Sequence, residues 1–206
     1  MVRVVKDPAV RRQEIVEAAR QLFMEKSYEA TSMQDVMSIL DIAKGTIYHY
    51  FSSKEELLQA VVEQIIEEDC QRKQTILENT PGSALEKVRV LLTAGSAADN
   101  NEAILDQLHQ ASNVAMHTRL LAEAISKQAP IYADIIRQGC EEGVFHTEYP
   151  LECAEFMLSA VQFLTDIGIT PWPPQDLQRR VLAFPALIEA QLKAPPNSFD
   201  FIIDQL

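Results

Sequence analysis

Cysteine is scarce in this chain. Cys70, Cys140 and Cys153 are odd in number, widely separated and never in a Cys-x-x-Cys pair, so neither a disulfide framework nor a thiolate metal site is indicated. They read as small core residues. No run approaches the roughly 18 uninterrupted apolar residues that a membrane helix needs. The amino terminus also lacks the apolar stretch of a secretory signal, so the expected location is cytoplasmic, with no membrane partner. Three catalytic signatures are absent: a Gly-x-Ser-x-Gly elbow, a phosphate-cradling glycine loop and a His-Glu-x-x-His zinc motif. The chain is therefore not expected to be an enzyme.

Positive charge is also in short supply, with 18 Lys and Arg against 30 Asp and Glu in 206 residues, a net charge of -12. The deficit is unevenly placed. Residues 1–54 hold eight basic residues against seven acidic ones, leaving ten against 23 for the remainder. Exposed charges are screened beyond about 8 Å at physiological salt, so a distant acidic body need not keep a near-neutral head from phosphate.

What is present is helical periodicity. Ile15, Ala18, Ala19, Leu22 and Phe23 mark one face of a helix from about Pro8 to Lys26. Thr31 and Gln34 have capping-box spacing before a short second helix carrying Met33, Val36, Met37 and Leu40. After a turn at Asp41, Ala43, Ile47 and Phe51 step by four along an inner face, which leaves Lys44, Gly45, Thr46, Tyr48 and His49 outward. Ser53 and Glu56 form a second capping box, opening a long helix with Leu57, Leu58, Val61, Val62, Ile65 and Ile66 on its apolar side. A short helix, a tight turn and a second short helix with a polar, aromatic and cationic face suit a helix-turn-helix. Glycine at 45 would let that backbone come close to DNA. Periodicity alone equally allows Tyr48, His49 and Tyr50 to decorate an ordinary amphipathic helix.

Together, Phe23, Tyr28-Glu29-Ala30-Thr31, Val36, the run Ala43 to Phe51 and Ser53-Lys54-Glu55-Glu56-Leu57-Leu58 closely resemble the DNA-binding domain of the TetR family over residues 10–66. The resemblance implies an all-α fold of about nine or ten helices. A three-helix helix-turn-helix domain in residues 1–54 would connect, through a long helix of about 54–78, to an effector-binding and dimerisation domain in 55–206. It further implies that Lys44, Gly45 and Thr46 approach the major groove, that Tyr48, His49 and Tyr50 share phosphate and base contacts, that Lys54 clamps a phosphate, and that Thr31 and Gln34 touch the DNA backbone. A basic arm with Arg3, Lys6, Arg11 and Arg12 could add contacts. Two positions depart from the family pattern: Ser27 replaces a glycine that commonly ends the first helix, and Leu40-Asp41 replaces a frequent Ala-Gly. Asp tolerates left-handed backbone better than most residues do.

Beyond Gln71 the chain reads as further helices punctuated by Pro81-Gly82, Asn100-Asn101, Gly143, Pro150, Pro171-Trp172-Pro173-Pro174 and Pro195-Pro196-Asn197. Pro130, inside a stretch from about 115 to 140, predicts a kink or break that could open space for a ligand. Gln138 to Phe145 resembles the end of the family's long central helix. Two apolar helices, at about 150–168 and 175–193, supply a homodimer interface, with a monomer core as the alternative. Their apolar residues include Cys153, Ala154, Phe156, Met157, Val161, Leu164 and Ile167, then Leu182, Phe184, Leu187, Ile188 and Leu192. Two heads about 34 to 36 Å apart would read successive major grooves of a roughly palindromic operator.

An effector pocket is expected among His109, Asn113, Met116, His117, Phe163, Asp166 and Trp172, where aromatic, soft and polar groups could converge. Asp106, His109 and His117 do not amount to a metal site without an added cysteine or carboxylate cluster, so no metal and no cofactor are expected. The functional expectation is a sequence-specific DNA-binding regulator, a repressor released from its operator by a non-covalent small-molecule effector. The alternatives are an activator or regulator without an effector, or a helical protein-interaction module.

Overall fold

The computed structural model describes residues 7–94 and 101–205, and all regular structure among them is helical. Arg3 and Lys6 of the basic arm lie outside the described residues. Helix α1 spans Pro8–Lys26; Asp7 accepts the Ala9 N–H at 2.8 Å and Pro8 pre-sets the first turn. Its buried stripe contains all five residues of the periodic pattern, together with Val16. The helix stops at Ser27, which adopts φ 70° and ψ 160°, a region that suits glycine.

Helix α2 (Met33–Leu40) is capped one residue later than the sequence pattern suggests. Ser32 and Asp35 form the reciprocal capping box, not Thr31 and Gln34. Thr31 is taken up elsewhere: its hydroxyl donates to the carbonyls of Ser27 at 2.8 Å and Leu22 at 3.3 Å. Asp41 ends α2 in the left-handed conformation, φ 51° and ψ 51°, where the family's glycine would be at ease. Helix α3 (Lys44–Tyr50) follows at once. Ile47 and Phe51 reach the core, whereas Ala43, at the cap, is exposed.

Helix α4 (Lys54–Glu78) begins where Ser53 accepts the Glu56 N–H at 3.2 Å, but the Glu56 carboxylate turns to the N–H and hydroxyl of Ser52. The box is thus split over two serines. The first core joins α1, α2, α3 and the front half of α4, and continues through Ile104 of α6 (Glu102–Leu105) and Leu108 to Met116, Leu120 and Ala124 of α7. Head and body therefore share one apolar core across residue 54. Full burial of a side chain such as Ile15 or Leu57 contributes about 1.5 to 3 kcal/mol each.

The body adds α5 (Ala84–Thr93), two 3₁₀ turns at Asp106–His109 and Ala111–Asn113, α7 (Val114–Glu141), α8 (Pro150–Thr165) and α9 (Pro174–Leu192). That makes nine α-helices among the described residues. Helix α7 runs unbroken through Pro130, because the carbonyl freed there belongs to Ser126, which faces outward, as Pro130 does. Helix α8 ends at 165, short of the expected 168, since the Asp166 carboxylate accepts the N–H groups of Gly168 and Ile169 at 2.8 Å and turns the chain away. A second core gathers α5, α7, α8, α9 and the C-terminal segment around Phe145, which stacks on Phe199 with ring centroids 5.9 Å apart. Gly139 makes room for Phe145; a Cβ there would overlap its ring.

Candidate DNA-binding face and ligand cavity

With Ile47 and Phe51 drawn into the core, α3 presents its opposite side to solvent. Lys44, Gly45, Tyr48 and His49 are exposed, and Thr46 and Tyr50 are half-buried. The Lys44 ammonium lies 5.6 Å from the Tyr48 ring centroid, and the His49 and Tyr50 rings meet edge-on at 5.0 Å. These contacts hold cationic and aromatic groups side by side, the combination that phosphate and base edges can share. A Cβ at Gly45 would meet nothing within 4 Å, so no contact inside the chain calls for glycine there. Its small size is felt only by something approaching from outside.

Five of the nine expected DNA contacts line one open cleft between α2 and α3: Thr31, Gln34, Lys44, Tyr48 and Lys54. Two of these do something other than the resemblance implies. The Thr31 side chain is buried and spends its hydroxyl on the end of α1, so it shapes the cleft without offering a donor to DNA. Lys54 donates to the carbonyls of Tyr28 and Thr31 at 3.0 Å each and lies 4.2 Å over the Tyr28 ring. Its ammonium fastens the α1–α2 loop to α4, leaving one N–H for a phosphate. Nearby, Arg12 sits over the Phe51 ring at 5.2 Å and Arg11 pairs with Glu14 at 2.9 Å, so both basic side chains are engaged within the chain. The Asp35 carboxyl is held well below the usual range, first by hydrogen bonds from Ser32 and then by Lys26, which keeps the α2 cap charged.

The body contains an apolar cavity of about 300 Å³ between α5, α7, α8, α9 and the C-terminal segment. Ile136, Phe145, Met157, Leu158 and Phe184 form much of its wall, and Gln128, Tyr132 and Gln162 are its polar members. Burial pushes the Tyr132 phenol up to about 12, so it stays a neutral hydroxyl. The Gln162 Oε1 is buried with no partner, an acceptor that a ligand could satisfy.

None of the seven residues expected to form the effector pocket lines this cavity. Met116 is in the first core, Asn113 donates to the Gln107 carbonyl at 2.7 Å, Phe163 is half-buried on α8, and Trp172 lies beneath the Arg180 guanidinium at 3.7 Å. His109, His117 and Asp166 come together elsewhere. The cavity is instead lined in part by Met157, Val161, Phe184, Ile188 and Leu192, which the sequence pattern assigns to a dimer interface. Apolar wall residues look like any other core in a sequence; only the unpaired polarity of Gln162 could have set them apart.

A different face of α8 and α9 remains outward. Phe156 is 67% exposed and Leu187 62%, with Leu164 and Leu182 also exposed, as is Ile167 in the turn after α8.

Residues 15–61 match the family model for bacterial regulatory proteins of the tetR family, and residues 96–187 match the tetracyclin repressor-like C-terminal domain. The HTH-type transcriptional repressor KstR2 of Mycobacterium tuberculosis is 27% identical over 156 residues, 74% of this chain and 78% of that protein. An uncharacterized HTH-type transcriptional regulator of Bacillus subtilis, YvaF, is 42% identical over 71 residues, which cover 34% of this chain and 37% of its own. The fold is shared with a TetR-family transcriptional regulator from Pectobacterium atrosepticum (TM-score 0.64, 23% identity, 91% of this chain and 97% of that one). GusR of Salmonella enterica shares it too (TM-score 0.56, 19% identity, 92% and 99%).

Proposed function

We propose that this chain, which belongs to the TetR family of DNA-binding transcriptional regulators, is a repressor that grips its operator as a homodimer and lets go when a largely apolar small molecule fills the body cavity. The observation that carries the reading is the outward face of α3, where Lys44, Gly45, Tyr48 and His49 stand free beside the cleft floored by α2. A helix this short supplies few base contacts, and doubling it on a two-fold axis supplies two sets. The exposed apolar residues of α8 and α9, Phe156 and Leu187 foremost, are the surface through which the copies would pair.

The cavity favours an effector that is mostly hydrocarbon and carries one hydrogen-bond donor for Gln162. Filling it would push on α7 and α8, and α7 shares the first core with the head through Met116, Leu120 and Ala124. A hundredfold change in operator affinity takes about 2.7 kcal/mol of coupling, so a small tilt of α4 is enough.

Two measurements test this. Deleting the gene is expected to raise transcription from the promoter next to its operator, whereas a fall would mean activation. The apolar probe N-phenyl-1-naphthylamine is expected to fluoresce on binding wild type and not on binding Leu158→Trp, whose larger side chain occupies the cavity. Equal binding by both would remove the cavity from the account.

A further inference from the structure

The body brings two histidines and an aspartate together on three separate elements. His109 ends the 3₁₀ turn after α6, His117 lies in the first turn of α7, and Asp166 caps the end of α8. One ligand atom from each lies within 4.8 Å of the other two. The imidazole rings are 5.3 Å apart by centroid, and His117 Nε2 donates to Asp166 Oδ2 at 3.0 Å.

We propose that His109, His117 and Asp166 hold a divalent transition-metal cation of the Zn²⁺ kind. Ligands on a borderline divalent ion sit at about 2.0 to 2.2 Å from it, and so at little more than 3 Å from one another. The three groups need only close slightly to reach that separation. Imidazole and carboxylate together suit zinc, cobalt, nickel or iron in preference to calcium or magnesium, which ask for oxygen shells.

The surroundings fit the role. Asp166 Oδ1 is occupied by the N–H groups of Gly168 and Ile169, which fixes the carboxylate and leaves Oδ2 turned toward the histidines. His117 is 3% exposed, so a cation held by its ring would be shielded from bulk water. Gly168 is also fitted to the cluster: a Cβ there would overlap the His109 ring. Asp106 Oδ1 lies 3.8 Å from His109 Nδ1, too far for a hydrogen bond, and adds only a nearby negative charge. The sequence pattern pairs Asp106 with the two histidines, and the fold supplies Asp166 as the carboxylate that completes the set.

A cation here would tie the α6 segment, α7 and the end of α8 to each other. The proposal stands apart from the DNA-binding reading, because its test uses no DNA. The full-length chain, stripped with chelator, is titrated with Co²⁺ and followed by visible absorption and calorimetry, then with Zn²⁺ and followed by thermal unfolding. One equivalent per chain is expected, with the unfolding midpoint rising as Zn²⁺ is added. His109→Ala, at the most exposed of the three positions, should keep its helicity and weaken Co²⁺ binding at least tenfold, and Asp166→Asn should do the same. Absence of stoichiometric binding in wild type, or binding in either variant as strong as in wild type, would overturn the proposal.

Discussion

Arg20 of α1 meets Glu68 of α4 through a single nitrogen, with Arg20 Nη1 2.8 Å from both carboxylate oxygens. The Arg20 Nε donates to Asn101 Oδ1 at 3.2 Å, just ahead of α6. One guanidinium therefore joins the head, the long helix and the segment that leads toward the body, in a side chain only 17% exposed. A change of geometry in the body has here a polar route to α1, alongside the shared apolar core.

A lysine at 20 would keep the charge and a single-nitrogen contact with Glu68, so a cycle that isolates the pair requires Arg20→Ala. Because Glu68 is 40% exposed, solvent screening limits the pair, and a double-mutant cycle of Arg20→Ala with Glu68→Gln is expected to give about 1 kcal/mol of coupling in thermal unfolding. Strict additivity of the two single changes would show that the pair does not hold the helices together.

Ser27 is the strained residue of the head. At φ 70° and ψ 160° a side chain costs on the order of 1 to 3 kcal/mol. Ser27→Gly is therefore expected to raise stability by about 1 kcal/mol, less whatever is lost with the long 3.5 Å contact from the Ala30 N–H to the Ser27 hydroxyl. Asp41→Gly, at an easier left-handed angle, should gain less. Denaturant midpoints for the two variants measure this directly, and a loss of stability in Ser27→Gly would contradict the backbone argument.

Thr31 separates a structural role from a DNA contact. Replacing it by valine keeps the shape but leaves the Ser27 and Leu22 carbonyls without their donor, at a cost of about 1 to 3 kcal/mol. The folded variant should still bind operator as wild type does. A stable Thr31→Val chain with weakened DNA binding would return the hydroxyl to the DNA interface.

The sequence makes the head legible because its signals are local. The periodic stripe of α1 returns as buried residues, and the two glycine replacements at Ser27 and Asp41 fall where the backbone does adopt positive φ. The departures there are one-residue shifts among neighbouring hydroxyls: Ser32 in place of Thr31 caps α2, and at α4 Ser53 is the cap as expected while the returning Glu56 carboxylate binds Ser52, details that spacing alone cannot resolve. Lys54 was legible as a cation at the right place, but not its inward carbonyl partners, which depend on how the α1–α2 loop closes over α4. In the body, helix positions were readable and their azimuth was not. A helix apolar nearly all round does not say which side meets a cavity and which meets solvent, so Met157 and Phe156 exchange roles with no mark in the sequence. The meeting of His117 with Asp166 spans 49 positions and depends wholly on α7 packing against α8.

The outward face of α8 and α9 gives the next expectation. Phe156→Asp with Leu187→Lys places charge on two of its most exposed apolar positions without touching the core, so the chain should fold as before. By analytical ultracentrifugation wild type is expected to be dimeric and the double variant monomeric, with operator affinity falling at least a hundredfold as one half-site is lost. A variant that remains dimeric would move the interface elsewhere.

The central claim rests on α3, and the most direct measurement is binding of the purified protein to the DNA upstream of its own gene at two salt concentrations, wild type against Lys44→Ala with Tyr48→Ala. Both side chains are exposed and their removal leaves the core intact. Wild type is expected to prefer this DNA over random sequence and to weaken steeply as salt rises, through release of counterions from contacted phosphates. The double variant is expected to lose the preference and to show a shallower salt dependence while keeping its unfolding midpoint. Undiminished specific binding by the double variant, or no binding of any DNA by wild type at low salt, would contradict the account.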